Sequence, residues 1–214
     1  MDVQDIVDML DLHGFEDVED DDKVAVINDV LQEINTREPW PFLEVIYDFD
    51  SSDVDADGLV DFTSQPVLSA VLDIVNTSSY GRTIGWIRRD DHFKRNASQL
   101  DLTGTPYLFF LVAGALYLWP VPDADSYRLT YLQVQEEVDI SSAEADILLP
   151  ARHHRLIALG ALYKLHSQED DPENASLFQQ QFESRMQLMR QDLFRQQYDR
   201  PDTIQVVDEE DWVD

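Results

Sequence analysis

Four aspartates alternate around a glycine. Asp53, Asp55 and Asp57 precede Gly58, and Asp61 follows it. Alternate carboxylates before a tight turn can gather several hard oxygens around one Ca2+ or a similar cation. An EF-hand loop would carry Glu at its twelfth position, and Ser64 stands there instead. In a chain with 31 Asp the same spacing also arises as a solvated acidic loop, so both readings stay open. His153, His154 and His166 lack the i, i+4 zinc spacing with an intervening Glu, which points to packing or surface roles. There is no Cys, which excludes disulfides, thiolate catalysis and Cys-ligated zinc. A serine nucleophile elbow, a P-loop and a Rossmann glycine pattern are absent as well. Paired carboxylates are too numerous for counting to exclude a hydrolase, but no pair stands out, so no catalytic residue is assigned.

A second group of side chains suits recognition. Arg82, Arg88, Arg89, Lys94 and Arg95 hold five of the fifteen basic residues. They can pair internally with Asp90 and Asp91, or meet a neighbour's acidic face and set register there. The last residues, 202–214, are acidic yet carry Ile204, Val206, Val207 and Trp212. Charge favours disorder in such a tail, whereas an aromatic on an extended segment can anchor in a partner's pocket. The expectation is docking to a larger assembly.

The charge itself excludes whole classes of function. Fifteen basic residues stand against 44 acidic ones, a net of −29, with 12 Arg and only 3 Lys. Such a charge repels itself in dilute buffer, and about 1 M salt shortens the Debye length to roughly 3 Å. The composition therefore predicts a protein suited to concentrated salt. Duplex DNA as a specific ligand would need a basic footprint, which is missing. The longest apolar run, Tyr107 to Trp119, is bounded by Pro106 and Pro120. It falls short of the roughly 20 residues of a membrane helix. The opening residues lack the basic and apolar regions of a secretory signal.

Elements that could position these groups follow from periodicity. Val3, Ile6, Val7 and Leu10 recur at helical spacing. A polar break follows from Gly14 to Asp22, with Asp22 as cap of a second helix bearing Val24, Ile27, Val30, Leu31 and Ile34. Pro39 and Pro41 end that helix, and Trp40 and Phe42 anchor its exit. Residues 44–147 read as a β-rich insertion. Strands are expected at 45–49, 83–87, 107–112, 116–119 and 127–134, while 67–75 is open between strand and helix and 88–96 predicts a helical turn or two. Ala113-Gly114-Ala115 suits a hairpin. Pro150 reads as a first helical position for an apolar, central helix, in which Gly160 and Ala161 let another backbone come close. Asp171-Pro172 opens a last helix with the stripe Phe178, Phe182, Met186, Met189 and Leu193. The expected fold is α+β: a helical bundle from 1–43 and 148–200, an antiparallel β insertion at 44–147, and an extended acidic tail at 201–214.

Four local patterns in this order resemble the head–tail adaptor (connector) proteins of tailed phages and viruses. They are Ile27 to Ile34 followed by Trp40-Pro41-Phe42; Gly104 to Leu108 leading into Gly114 to Pro120; Pro122-Asp123-Ala124 with Tyr127 to Tyr131; and Leu149-Pro150 with His153 and Leu159 to Leu162. The likeness covers residues 24–165. It implies a structural virion protein in the viral neck, assembled in the host cytoplasm, and not an enzyme. Its copies would form a ring, commonly of twelve, beneath the portal protein, and would dock a neck, head-completion or tail protein. DNA would pass through the channel without specific binding, and no membrane would be involved. The acidity departs from the family's pattern and fits a virus of a halophilic archaeon. The resemblance implies no cofactor, leaving Ca2+ or another cation at the acidic loop as the residues' own suggestion. The alternative is a halophilic metal-binding protein or hydrolase using the loop 48–61.

Overall fold

A computed structural model describes residues 1–62, 64–78, 81–96, 102–112 and 115–198, with the side chains of 93–96 and 195–198 outside the description. The first helix, α1 (Val3–Leu10), starts from a capping box in which the Asp2 carboxylate accepts from the Asp5 N–H. It buries Val3, Ile6, Val7 and Leu10. The chain winds on through a wider turn at 11–15 and then enters α2 (Asp20–Arg37). That start corrects the expected cap: the boundary residue is Glu19, and Asp20, Asp21 and Asp22 occupy the first turn. There their charge complements the positive end of the helix.

Lys23 explains why the two helices stay together across the break. It is 1 % exposed, and its ammonium bonds Asp11 at 2.5 Å and Asp20 at 3.0 Å. Burial opposes its charge, but the two carboxylates outweigh burial and hold its pKa above the usual lysine value.

Helices α4 (Arg155–Gln168) and α5 (Pro172–Tyr198) complete the helical side. α4 buries every residue from Leu156 to Leu162 and packs against α1, α2 and α5, as its all-round apolar sequence predicts. Pro150 precedes a single tight turn at 151–153, not the helix itself. At Gly160 a Cβ would lie 2.6 Å from Val30 Cγ1 and 3.0 Å from Phe182 Cε2, so only glycine permits the approach of α2 and α5 to α4. α5 places Phe182, Met186, Met189 and Leu193 in the same core. At 27 residues it is roughly 40 Å long. Trp40, buried at the exit of α2, donates its indole N–H to Ile34 O at 2.6 Å and packs on Phe42 and Phe194.

Among the described residues seven strands form two sheets. The first has the order β1 (Glu44–Asp50), β7 (Ser126–Gln133), β2 (Leu68–Asn76), β3 (Arg82–Thr83). The second has the order β4 (Gly85–Trp86), β5 (Leu108–Val112), β6 (Ala115–Trp119). The apolar segment at 67–75 is thus a strand. Between the sheets lies a second core of Phe49, Val60, Ile74, Ile84, Phe109, Leu116, Leu118, Tyr127, Leu129 and Tyr131. The chain is α+β.

Two expectations for this region change. The single strand at 83–87 splits in two: Ile84 is buried in the core, and the residues on either side pair in different sheets. β4 also pairs with β5 in parallel, not antiparallel. The reason is the connection, since α3 (Arg89–Asn96) lies between them as a crossover that returns the chain in the same direction. His92 of α3 stacks on Phe110 at 4.9 Å and meets Trp119 edge-on, covering the outer face of the second sheet.

The two cores are stitched together after β7. Asn28 of α2 donates to Val138 O and accepts from Val138 N, both at 2.9 Å, and Val138 and Ile147 join the helical core. This polar clamp fixes the way out of the sheet to the middle of a helix.

Candidate functional site

The acidic loop is not a free solvated loop. Val54 and Val60 bridge each other, Leu59 bridges Tyr117, Val60 N–H donates to Leu116 O, and Leu118 N–H donates to Gly58 O. The segment therefore adds itself to the outer edge of β6. Gly58 permits it: its φ is +85°, and a Cβ there would lie 2.5 Å from Leu118 O. The four predicted carboxylates divide their work. Asp55 Oδ1 accepts from the N–H groups of Asp57 and Leu59, and Asp53 Oδ2 accepts from Asp50 N–H. Asp57 and Asp61 are exposed. Among the described residues no group of three or more His, Asp or Glu is arranged to hold a metal ion.

What the loop does build is an open cavity of about 720 Å³. Its walls include the apolar side chains of Val54, Val60, Phe62 and Ala115, and Asp53 and Asp55 stand with them. Phe62 is braced from behind by Tyr47 and Tyr131. The field here is negative: burial and the charges of Asp53, Asp61 and Asp50 push the Tyr47 phenol above its usual range.

At the opposite edge of the same sheet, β4 presents Trp86, which is 60 % exposed. Arg82 and Arg88 flank it and are exposed, and among the described residues neither makes an ion pair. Arg89 is exposed but has a partner. Of the five basic residues grouped by sequence, three are therefore exposed within four residues of Trp86 along the chain. The side chains of Lys94 and Arg95, and the tail residues Ile204, Val206, Val207 and Trp212, lie outside the described residues. The histidines have packing roles. His154 is buried with its ring nitrogens 2.7 Å from Met1 O and 2.6 Å from Leu149 O, and His166 packs between Phe15 and Phe178. His153 lies 3.2 Å from Asp192.

Sequence reasoning missed the cavity and the exposure of Trp86. The available signal was Leu59-Val60 directly after Gly58, an apolar pair that a solvated loop does not need.

Residues 1–205 match the family model of the SU10 adaptor protein. The chain belongs to the SU10 adaptor protein family. Membership covers nearly the whole chain, both cores and both sheet edges, and extends well beyond the residues that carry the resemblance to head–tail adaptors. No curated protein matches it. An SU10 adaptor protein is a structural component of a phage particle that works by contact with other virion components, so surfaces, not a reaction centre, are the features to explain. Among the described residues no helix is long and apolar enough to cross a membrane.

Proposed function

We propose that this adaptor forms a ring, of twelve copies on the family pattern, beneath the portal and links the capsid to the neck or tail while DNA passes through its channel. The match to the adaptor family over residues 1–205 carries the reading. In this reading the protein has no catalytic role, resides in the neck of the virion and is assembled in the host cytoplasm. Residues 1–43 and 148–200 act as the rigid helical bundle, 44–147 is the inserted β-rich region that faces other copies, and 201–214 orders on the portal through Ile204, Val206, Val207 and Trp212. The net charge of −29 supports a salt-loving host, because a ring multiplies the self-repulsion that salt must screen.

Native mass spectrometry and electron microscopy in molar salt, with and without portal, test the reading. Rings are expected, alone or on adding portal. Single copies under both conditions would overturn it. Deleting 201–214 is expected to weaken portal binding, and unchanged affinity would remove the tail from the contact. The alternative of a metal-binding protein or hydrolase gains no support from the loop, where Asp53 and Asp55 each commit an oxygen to backbone N–H groups.

A further inference from the structure

We infer that copies of this chain join head to tail, the Trp86 edge of the three-stranded sheet, with Arg88 just after it and Arg82 on the preceding strand β3 of the other sheet, entering the acidic cavity beside β6 of the next copy. The inference rests on the ring reading and deepens it by naming both halves of the contact.

The first argument is topology. The sheet runs β4, β5, β6, and the loop 54–60 extends it beyond β6. Strands lie roughly 4.8 Å apart, so the two surfaces are separated by about three spacings and stand on opposite edges. Two different, complementary surfaces on opposite edges of one body give a heterologous contact, the type that closes into a ring when the rotation permits. Two identical surfaces would give a closed pair instead.

The second argument is chemistry. Trp and Arg are the residues most enriched among those that dominate binding, and dominant residues sit in desolvated pockets. Trp86 supplies an exposed indole. The cavity supplies an apolar floor of Val54, Val60 and Phe62, with Asp53 and Asp55 at its side. Arg82 and Arg88 carry charge of the opposite sign to those carboxylates, and among the described residues they have no ion pair within the chain. Arg155 and Arg185 on the helical side are likewise exposed without an ion pair among the described residues, but only Arg82 and Arg88 lie within four residues of an exposed tryptophan, and another copy offers them a carboxylate partner. In concentrated salt the charges fix register while the indole supplies most of the affinity.

Three full-length variants test the contact. R82E/R88E reverses the charge of one edge. S52R/A115R places two cations on the cavity's lining; it removes the Ser52 Oγ bond to Asp50 but leaves Asp53 and Asp55 in place. Each alone should remain as single copies at a salt concentration where the wild-type chain assembles. Mixed one to one they should assemble, because each reversed edge then meets a reversed cavity, and the particles should contain even numbers of copies. W86A should raise the concentration needed for half-assembly by roughly tenfold or more. Thermal melting of the isolated variants checks that they fold. If both charge variants assemble alone like the wild type, or if neither is restored by mixing, this contact is wrong while the ring stands. If the wild-type chain never assembles, with or without portal, the ring reading fails and the contact falls with it.

Discussion

The helical core and the β core differ in what they leave exposed. On the helical side Lys23 sits between Asp11 and Asp20, Arg37 bridges Glu33 and Glu183 while lying over the Phe182 ring, Lys164 and Arg190 reach Glu33 and Glu38, and Arg152 reaches Asp192. Glu183, before Glu33, raises the Arg37 pKa against the opposing effect of burial. These pairs join the helical segments, though the exposed Arg155 and Arg185 have no ion pair among the described residues. On the β side Arg128 faces Asp48 across the β1–β7 ladder with two bonds, 2.7 and 3.0 Å, but Arg82 and Arg88 have no such pair among the described residues. Large apolar side chains divide more clearly: Ile46, Val67, Leu72, Trp86, Leu102, Tyr107 and Val134 are exposed on the β side, against three on the helices. The β side leaves more large apolar side chains exposed.

Two tryptophans give the sharpest test of that difference. W40A removes a side chain that is 1 % exposed, together with its bond to Ile34 O. It should cost about 3–5 kcal/mol of stability in chemical denaturation. W86A removes an exposed ring and should change the stability of an isolated copy by no more than about 0.5 kcal/mol. Its effect should appear in assembly alone. Equal losses of stability would erase the distinction between the two regions.

A smaller effect is expected at the tightest point of the helical core. G160A puts a methyl group against Val30 and Phe182 at separations below ordinary contact. The overpacking should cost about 1–3 kcal/mol. The same measurement distinguishes a rigid seam from one that can yield: no loss would mean that α2 and α5 move apart freely, and the helical side would no longer be the rigid partner in the comparison.

Both regions also contain a histidine that burial makes harder to charge. His92 on the β side is held below its ordinary value of 6.5 by burial. His153 on the helical side is held below it by burial too, with the neighbouring Asp192 opposing. A base whose folded pKa is depressed takes up its proton first in the unfolded chain, so stability falls as pH drops below about 6.5. Each group carries at most about 1.4 kcal/mol per pH unit crossed. The carboxylates held low, Asp48 by Arg128 and Asp171 by Asn174, lose their contribution only below their ordinary 3.8. Stability measured from pH 7 to 5 should therefore decline through the histidines. H92F, which keeps a ring against Phe110, should reduce the slope; an unchanged slope would assign it elsewhere.

The helical side was the legible one in the sequence. Its 3.6-residue spacing, the apolar run 156–162 of α4 and the small residue at 160 each state a constraint that one helix imposes on its own neighbours. The β side was less legible for a physical reason. A two-residue strand such as 85–86 has no periodicity to read, and its parallel pairing depends on α3 carrying the chain back. The loop 53–61 was read from its carboxylates, while the residues that dock it to β6 are Gly58, Leu59 and Val60 among them. Trp86 was visible as a residue of a strand, but its exposure belongs to the edge on which the fold places it.

The smallest expected effect concerns that loop. Asp53 and Asp55 already satisfy backbone donors, and these bonds shape the turn whether or not a cation is present. A calcium site would need roughly six to eight oxygens converging at 2.3–2.6 Å, and bonds to the chain's own N–H groups turn these oxygens away from a common centre. Adding Ca2+ should therefore raise the melting temperature only as much as Mg2+ or NaCl at equal ionic strength, because all three act by screening. A saturable rise specific to Ca2+, removed by D57N, would make the loop a ligand site. The cavity would then be its mouth, and the β side would differ from the helical side by holding an ion and not by receiving a neighbour.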